Sequence, residues 1–390
     1  LEKKIDRKIF AALFFAIFTA ITGVGIVVPL LPVYADELGA SGFVIGLIFG
    51  SFSLSRALFL PYFGKKSDEH GRKPFIAAGL ALYVVTSVAF MGAASFSSIW
   101  GMIAIRFFQG FASAMILPVV FAYVGDMAPT GKEGFVMGIF NISMYSSLSL
   151  GPVLGGVVKD AFGMQAAFAC MLALSLAACV LTLTLLPPVS REPRADKSRP
   201  PLSYRLLAKE KAVVGLFACR LAYTACIGVM WSFLPVHAHG VFGISSAKIG
   251  VLLMLSVLVA GLLQTPAGLL ADRSDKRLLV TLGGVLAAFG MAGFCVATGF
   301  WSMFAASLIL GIGGGISTPA HMAISVIEGK KTGSMGSVMA LITLGHSLGM
   351  LFGAVGGGVM RDLFGLWSAY AGGGLVMLAG VLIFRRLVRG

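Results

Sequence analysis

The sequence predicts an all-α membrane protein: twelve transmembrane helices in two pseudo-symmetric six-helix bundles, with both chain ends on the cytoplasmic side. Three observations carry this expectation. Hydrophobic residues make up 58% of the 390, only 12% are charged, and the mean hydropathy is +0.94, far above that of a soluble domain. Apolar stretches of about 20 residues or more recur along the chain, the length a helix needs to cross a hydrocarbon core roughly 30 Å thick. Stretches of the first half also return in the second at a nearly constant spacing.

Taken in order, the spans read at 9–35, 42–63, 74–94, 98–125, 135–159, 165–187, 212–237, 246–270, 277–298, 302–327, 334–360 and 367–386. None alternates every second residue, as strands of a membrane barrel would. The first is too long for a signal peptide and no small-residue cleavage site follows it.

The net charge of +14 is placed by topology rather than gathered for nucleic acid. Its Lys and Arg cluster at the N-terminus, in 65–73, in 188–211, in 272–277, at Lys330 and Lys331, and at the C-terminus. Only Lys159, Lys248 and Arg361 fall on the other side. That is the positive-inside bias, and it puts both termini in the cytoplasm.

Between the sixth and seventh spans the run PPVSREPRADKSRPPLSYRLLAKEK is proline-rich and charged, and reads as a linker. It divides the chain into an N-terminal bundle at 1–187, a cytoplasmic linker at 188–211 and a C-terminal bundle at 212–390. The halves echo each other. Gly64-KKS-Asp68 with Arg72-Lys73 returns as Gly268-LLA-Asp272 with Lys276-Arg277, and LGPVLGGVVKDAFG (150–163) as FGAVGGGVMRDLFG (352–365). Transporters are often built from such repeats, with a binding site near the membrane midplane.

Four motifs resemble one family. GKKSDEHGRK (64–73) fits the pattern Gly-x-x-x-Asp-x-x-Gly-Arg-Lys/Arg between helices 2 and 3 of the major facilitator superfamily. RFFQG (106–110) resembles that superfamily's helix-4 motif, and GPVLGG (151–156) is similar to the helix-5 signature of its twelve-helix drug–proton antiporters. PLLPVYADELGAS (29–41) resembles the end of their first helix. The resemblance implies a secondary transporter rather than an enzyme, working by alternating access in the plasma membrane (the inner membrane of a bacterium). It would act as a monomer in the lipid bilayer on a small-molecule substrate, with protons as coupling ion and no cofactor. It also implies a cytoplasmic gate from Gly64, Asp68, Gly71, Arg72 and Asp126, in which Asp68 faces the start of helix 11 near Ser334 and Asp126 partners Arg72. Gly64 and Gly71 would let this short loop reverse, while Lys65, Lys66 and Lys73 read as topogenic.

Isolated polar residues inside the spans point to the substrate. Counting about 1.5 Å per residue, Arg56 lies roughly 12 Å inside the membrane from Gly64, and Arg106 and Arg220 lie comparably deep. Charges at such depth usually face a cavity or a partner. Helical spacing sets Arg106, Gln109, Gly110 and Ser113 on one face, Arg220, Thr224, Ile227 and Trp231 on another, and Thr318, His321 and Ser325 on a third. Asn141, Tyr145, Gln264 and His346 add to the set. All fall on the helices that line the central cavity in the resembled family, and helices 3, 6, 9 and 12 carry none. The sixteen Asp and Glu all map to loops or helix ends, so no carboxylate shares the depth of the three arginines. A guanidinium fork suits carboxylate, phosphate or sulfonate. The substrate-binding set is therefore Arg56, Arg106, Gln109, Asn141, Tyr145, Arg220, Thr224, Trp231, Gln264, His321 and His346, built for an anion. Without a buried carboxylate, His321 or His346 stands as the proton carrier.

Small residues at Gly151, Gly155, Gly156, Gly349 and Gly353 suit close helix packing or hinging, and Pro152 favours a bend. Cys170, Cys179, Cys219, Cys226 and Cys295 lie inside helices without CxxC spacing, and read as packing. No metal site is expected, and the absence of GxxxxGK[ST] argues against ATP drive. The expected function is proton-coupled efflux of an anionic or amphiphilic organic molecule. Alternatives are organic-anion uptake by symport or exchange and, from another class, a non-transporting receptor or a lipid scramblase.

Overall fold

A computed structural model describes residues 7–95, 97–127, 133–187, 207 and 209–388. They form twelve helices: α1 Arg7–Glu37, α2 Gly42–His70, α3 Lys73–Ser95, α4 Ile99–Met127, α5 Glu133–Phe162, α6 Met164–Leu185, α7 Lys211–Phe242, α8 Ser246–Arg273, α9 Lys276–Cys295, α10 Phe300–Lys331, α11 Met335–Phe364 and α12 Leu366–Leu387. Eleven of these are long and apolar enough to cross a membrane. The exception is α5, the expected fifth span, which Asn141, Ser143, Ser146, Ser147 and Ser149 dilute. Most of the expected linker lies outside the described residues.

The helices overrun the apolar stretches at most ends, and α2 shows why. It does not stop at Gly64 but runs through the basic stretch to His70. Lys66 pairs with Glu69 at 3.0 Å one turn on, and Ser67 Oγ donates to the Gly64 carbonyl at 2.9 Å. Residues that suit a solvated helix carry it beyond the bilayer. The expected ten-residue loop therefore shrinks to Gly71 and Arg72. Gly71 alone makes the reversal, at φ 89°, so the turning role expected of Gly64 is corrected. Lys73, expected to be topogenic, also caps a helix. Its Nζ donates to the carbonyls of Leu183, at 3.0 Å, and Leu186, closing the end of α6.

Two compact units emerge. One takes in Leu1–Leu38, Ser51–Pro193 and Ser245–Met254, the other Gly39–Gly50, Arg194–Ile244 and Leu255–Gly390. The start of α2 thus belongs with the second unit and the start of α8 with the first. In the first unit α1 packs on α5 and α6, and α3 on α4 and α6. Its core holds Leu13, Ile17, Leu80, Ile116, Val120, Tyr123 and Phe140, with Phe90 stacked on Phe168 at 5.4 Å. In the second unit α7 packs on α11 and α12, and α9 on α10 and α12. Large apolar side chains such as Phe15, Phe289 and Leu375 are exposed, as expected where lipid is the solvent. Trp100, Trp301 and Trp367 are exposed at the starts of α4, α10 and α12, where amphipathic rings suit the membrane interface.

Candidate substrate-binding clusters

In the first unit the polar face of α4 is buried as a set. Arg106, Gln109 and Ser113 are each at most 3% exposed. One helical turn brings Arg106 Nη1 to Gln109 Oε1 at 3.0 Å, so the amide oxygen accepts from the guanidinium. Gln109 Nε2, with two protons to give, is buried without a hydrogen-bond partner. Phe52 on α2 sets its ring 4.7 Å from the Arg106 guanidinium carbon, a cation–π contact. Arg56, one turn further along α2, is half-buried.

Tyr83 on α3 joins them. It is 5% exposed and lies within electrostatic reach of both Arg56 and Arg106. It lies on a helix that carries none of the binding residues singled out from the sequence. A tyrosine within an apolar span was the available signal, because a buried phenol seeks a polar partner. Asn141 and Tyr145 on α5 are half-buried.

In the second unit the set centres on Arg220. Its Nη2 donates to His346 Nδ1 at 3.1 Å, joining α7 to α11. A ring nitrogen that accepts carries no proton, so this contact holds His346 neutral with its proton on Nε2. His321 on α10 is held the other way round. Its Nε2 donates to the Leu216 carbonyl at 2.8 Å, while Nδ1 is buried without a hydrogen-bond partner. His321 is 3% exposed and within electrostatic reach of Arg220. Thr224 Oγ1 turns back to the Arg220 carbonyl at 2.9 Å. Ser325 donates to the His321 carbonyl at 2.9 Å. Trp231 and Gln264 are half-buried, and Trp231 Nε1 has no hydrogen-bond partner. Tyr223, not singled out from the sequence, fills with its hydroxyl the space a side chain at Gly314 would need.

Glycines let these helices approach. A β-carbon at Gly349 or Gly353 on α11 would collide with the carbonyl of Leu221 or Ala225 on α7, and one at Gly155 on α5 with the Ile26 carbonyl on α1. Gly151 faces Thr22 and Gly25 in the same way. Of the expected gate, Arg72 is buried at 6% exposure, and the side chains of Asp68 and Asp126 lie outside what is described. Among the described residues no three His, Cys, Asp or Glu gather as metal ligands.

The chemistry on offer is neutral-polar and cationic. Each cluster presents guanidinium donors beside uncharged partners, and every described helix carries its Asp and Glu near its ends.

Comparison with known proteins bears on the whole chain. The family described as Major Facilitator Superfamily matches residues 13–246 and 216–389. An MFS-type transporter of Methanocaldococcus jannaschii is 28% identical over 99% of this chain and 100% of its own. Multidrug resistance protein 2 of Bacillus subtilis is 25% identical over 98% of this chain and 96% of its own. Quinolone resistance protein NorA of Staphylococcus aureus is 31% identical over 40% of this chain and 39% of its own. Among solved structures, the nucleoside transporter NupG superposes with a TM-score of 0.80 at 14% identity, covering 98% of this chain and 100% of that one. A human organic anion transporter gives 0.67 at 17% identity, covering 97% and 99%, and at such identities the likeness shows the fold alone. The chain therefore belongs to the Major Facilitator Superfamily and is a multi-pass transporter of the plasma membrane.

Proposed function

We propose that this chain is a secondary active carrier that exports an anionic or amphiphilic organic molecule in exchange for protons. It works by alternating access of two related halves, 1–187 and 212–390, with both termini cytoplasmic. The observation that carries the anion is the placement of charge: arginines lie within the helices, and carboxylates stand near helix ends. An anionic group meeting either guanidinium cluster would offset its desolvation. Efflux is supported by the resemblance of GPVLGG (151–156) to the antiporter signature and by the multidrug and quinolone resistance proteins among the relatives. The gate is assigned to Asp68, Arg72 and Asp126 about the Gly71 turn.

His346 is the preferred proton carrier. Its acceptor nitrogen faces Arg220, so a proton arriving there breaks the contact and leaves two cationic groups side by side. His321 is committed to Leu216 instead. This geometry also favours a second reading, anion uptake with a proton, because a protonated His346 and Arg220 together hold an anion better than Arg220 alone.

Transport into proteoliposomes under an imposed pH gradient separates these readings. With a panel of labelled organic anions and cations, an acid lumen should drive anion accumulation if protons are exchanged. An acid exterior should do so if they are co-transported. Ligand binding with no counterflow would contradict both readings and leave a receptor, and lipid movement without a gradient would leave a scramblase.

A further inference from the structure

Two polar side chains in the first unit are fully buried and carry protons that no partner takes. Gln109 on α4 and Ser55 on α2 are both 0% exposed, and Gln109 Nε2 and Ser55 Oγ have no hydrogen-bond partner. A buried donor left in this way is costly unless something accepts from it.

Helical spacing sets both on faces that meet. On α2, Phe52, Ser55 and Arg56 fall at i, i+3 and i+4; on α4, Arg106, Gln109, Gly110 and Ser113 fall at i, i+3, i+4 and i+7. A β-carbon at Gly110 would collide with the Phe52 carbonyl, and the Phe52 ring lies 4.7 Å from the Arg106 guanidinium carbon. Just beyond, Ser51 Oγ donates to the Ile103 carbonyl at 3.2 Å. On the α3 side, a β-carbon at Gly79 would press on Ile116 and the Ala112 carbonyl of α4, and Tyr83 stands one turn further along. Ser55, Tyr83, Arg106, Gln109 and Ser113 are each at most 5% exposed.

The orientation of Gln109 is fixed by Arg106. Its Oε1 accepts from the guanidinium, so its two Nε2 protons point away from that contact. Ser55 adds a hydroxyl proton. No Asp or Glu lies on α3, and those of α2 and α4 stand in their last turns, at Asp68, Glu69 and Asp126. The set therefore offers donors in a positive field. An anion suits it better than water, which brings protons of its own to place. A single atom suits it better than an organic group, for which these buried side chains would have to part. We infer that Gln109 and Ser55, together with Arg106, hold a small inorganic anion, chloride, between α2 and α4. This rests on the reading of the cluster as a site for negative charge, and it divides the cluster. Arg106 and Gln109 keep the resident ion, and the half-buried Arg56 is left for a substrate.

Thermal unfolding of the purified full chain tests it, with chloride titrated against gluconate at constant ionic strength and no organic ligand present. Chloride should stabilise the parent saturably, by roughly 2 °C or more, because a ligand of the folded state alone raises its stability. Gln109→Glu keeps the shape and places a carboxylate beside Arg106, so it should supply the charge itself. Its melting temperature should no longer respond to chloride, and in gluconate it should equal or exceed that of the parent. Ser55→Ala should weaken the apparent chloride affinity by about tenfold, the scale for losing a hydrogen bond to a charged group. A chloride response that survives unchanged in Gln109→Glu or in Ser55→Ala places the ion elsewhere and overturns the inference. Should one variant fail to fold, the other decides, and a parent that melts alike in chloride and gluconate overturns it without either. Organic anions tested in gluconate alone bear on the proposed function, so the two readings stand or fall separately.

Discussion

At the scale of single residues, the two intramembrane histidines are told apart by which ring nitrogen is engaged. His321 gives its Nε2 proton to the Leu216 carbonyl, whereas His346 receives one from Arg220 at Nδ1. Replacing His321 with Gln exchanges a fixed ring N–H for a flexible amide donor at a different reach from the buried Leu216 carbonyl, so it should lower stability by about 1–3 kcal/mol and leave coupling in place. Replacing His346 with Gln should abolish accumulation driven by a pH gradient while sparing equilibrium exchange. Vesicle uptake with and without the gradient, alongside thermal unfolding, checks both. Gradient-driven accumulation that survives His346→Gln and disappears in His321→Gln would reverse the assignment. Only half of this chemistry was legible in the sequence. Arg106 and Gln109 stand one turn apart, so their contact follows from helical spacing. Arg220 and His346 belong to different helices, and no local pattern announces which long-range pair will meet.

Among the helices, spans were legible and ends were not. An apolar run of about 20 residues marks a crossing because lipid excludes unsatisfied backbone groups. Past the bilayer, hydropathy stops deciding. α2 continues to His70 on the strength of a Lys66–Glu69 pair that no hydropathy reading weighs. Conversely, α5 read as an apolar stretch in the sequence although a serine-rich middle leaves it outside the helices apolar enough to cross a membrane. Helix contacts yield a prediction with its own control. Gly353 on α11 lies against the Ala225 backbone of α7, while Gly356, three residues on, has open space around it. Gly353→Ala should destabilise the protein by about 1–3 kcal/mol, because backbones must part. Gly356→Ala should be neutral or stabilise by up to about 1 kcal/mol, since alanine favours a helix over glycine. Thermal unfolding of the two variants side by side checks this, and equal destabilisation would show that the glycine seam does not set the α7–α11 distance.

For the whole molecule, each unit brings its own arginine cluster: Arg56 and Arg106 with Tyr83 in one, Arg220 with His346 and His321 in the other. The family motifs made the class of protein legible, and the mapping of sixteen carboxylates to helix ends and loops made the sign of the clusters legible. What those carboxylates hold was not. Asp160 and Asp362 read as ordinary terminal residues until the first turns of α8 and α2 were seen against them. The central claim of the proposed function is that the arginines of these clusters meet a transported anion. The most direct measurement is the thermal stabilisation of purified protein by matched organic anions and cations, on the parent and on Arg56→Gln and Arg220→Gln. A ligand that prefers the folded carrier raises its melting temperature in proportion to affinity and concentration. Anions should stabilise the parent, each substitution should weaken that binding by about 2–4 kcal/mol, and Arg→Lys at either site should restore it only in part. Cations that stabilise where anions do not, or anion binding that survives both substitutions unchanged, would contradict the account.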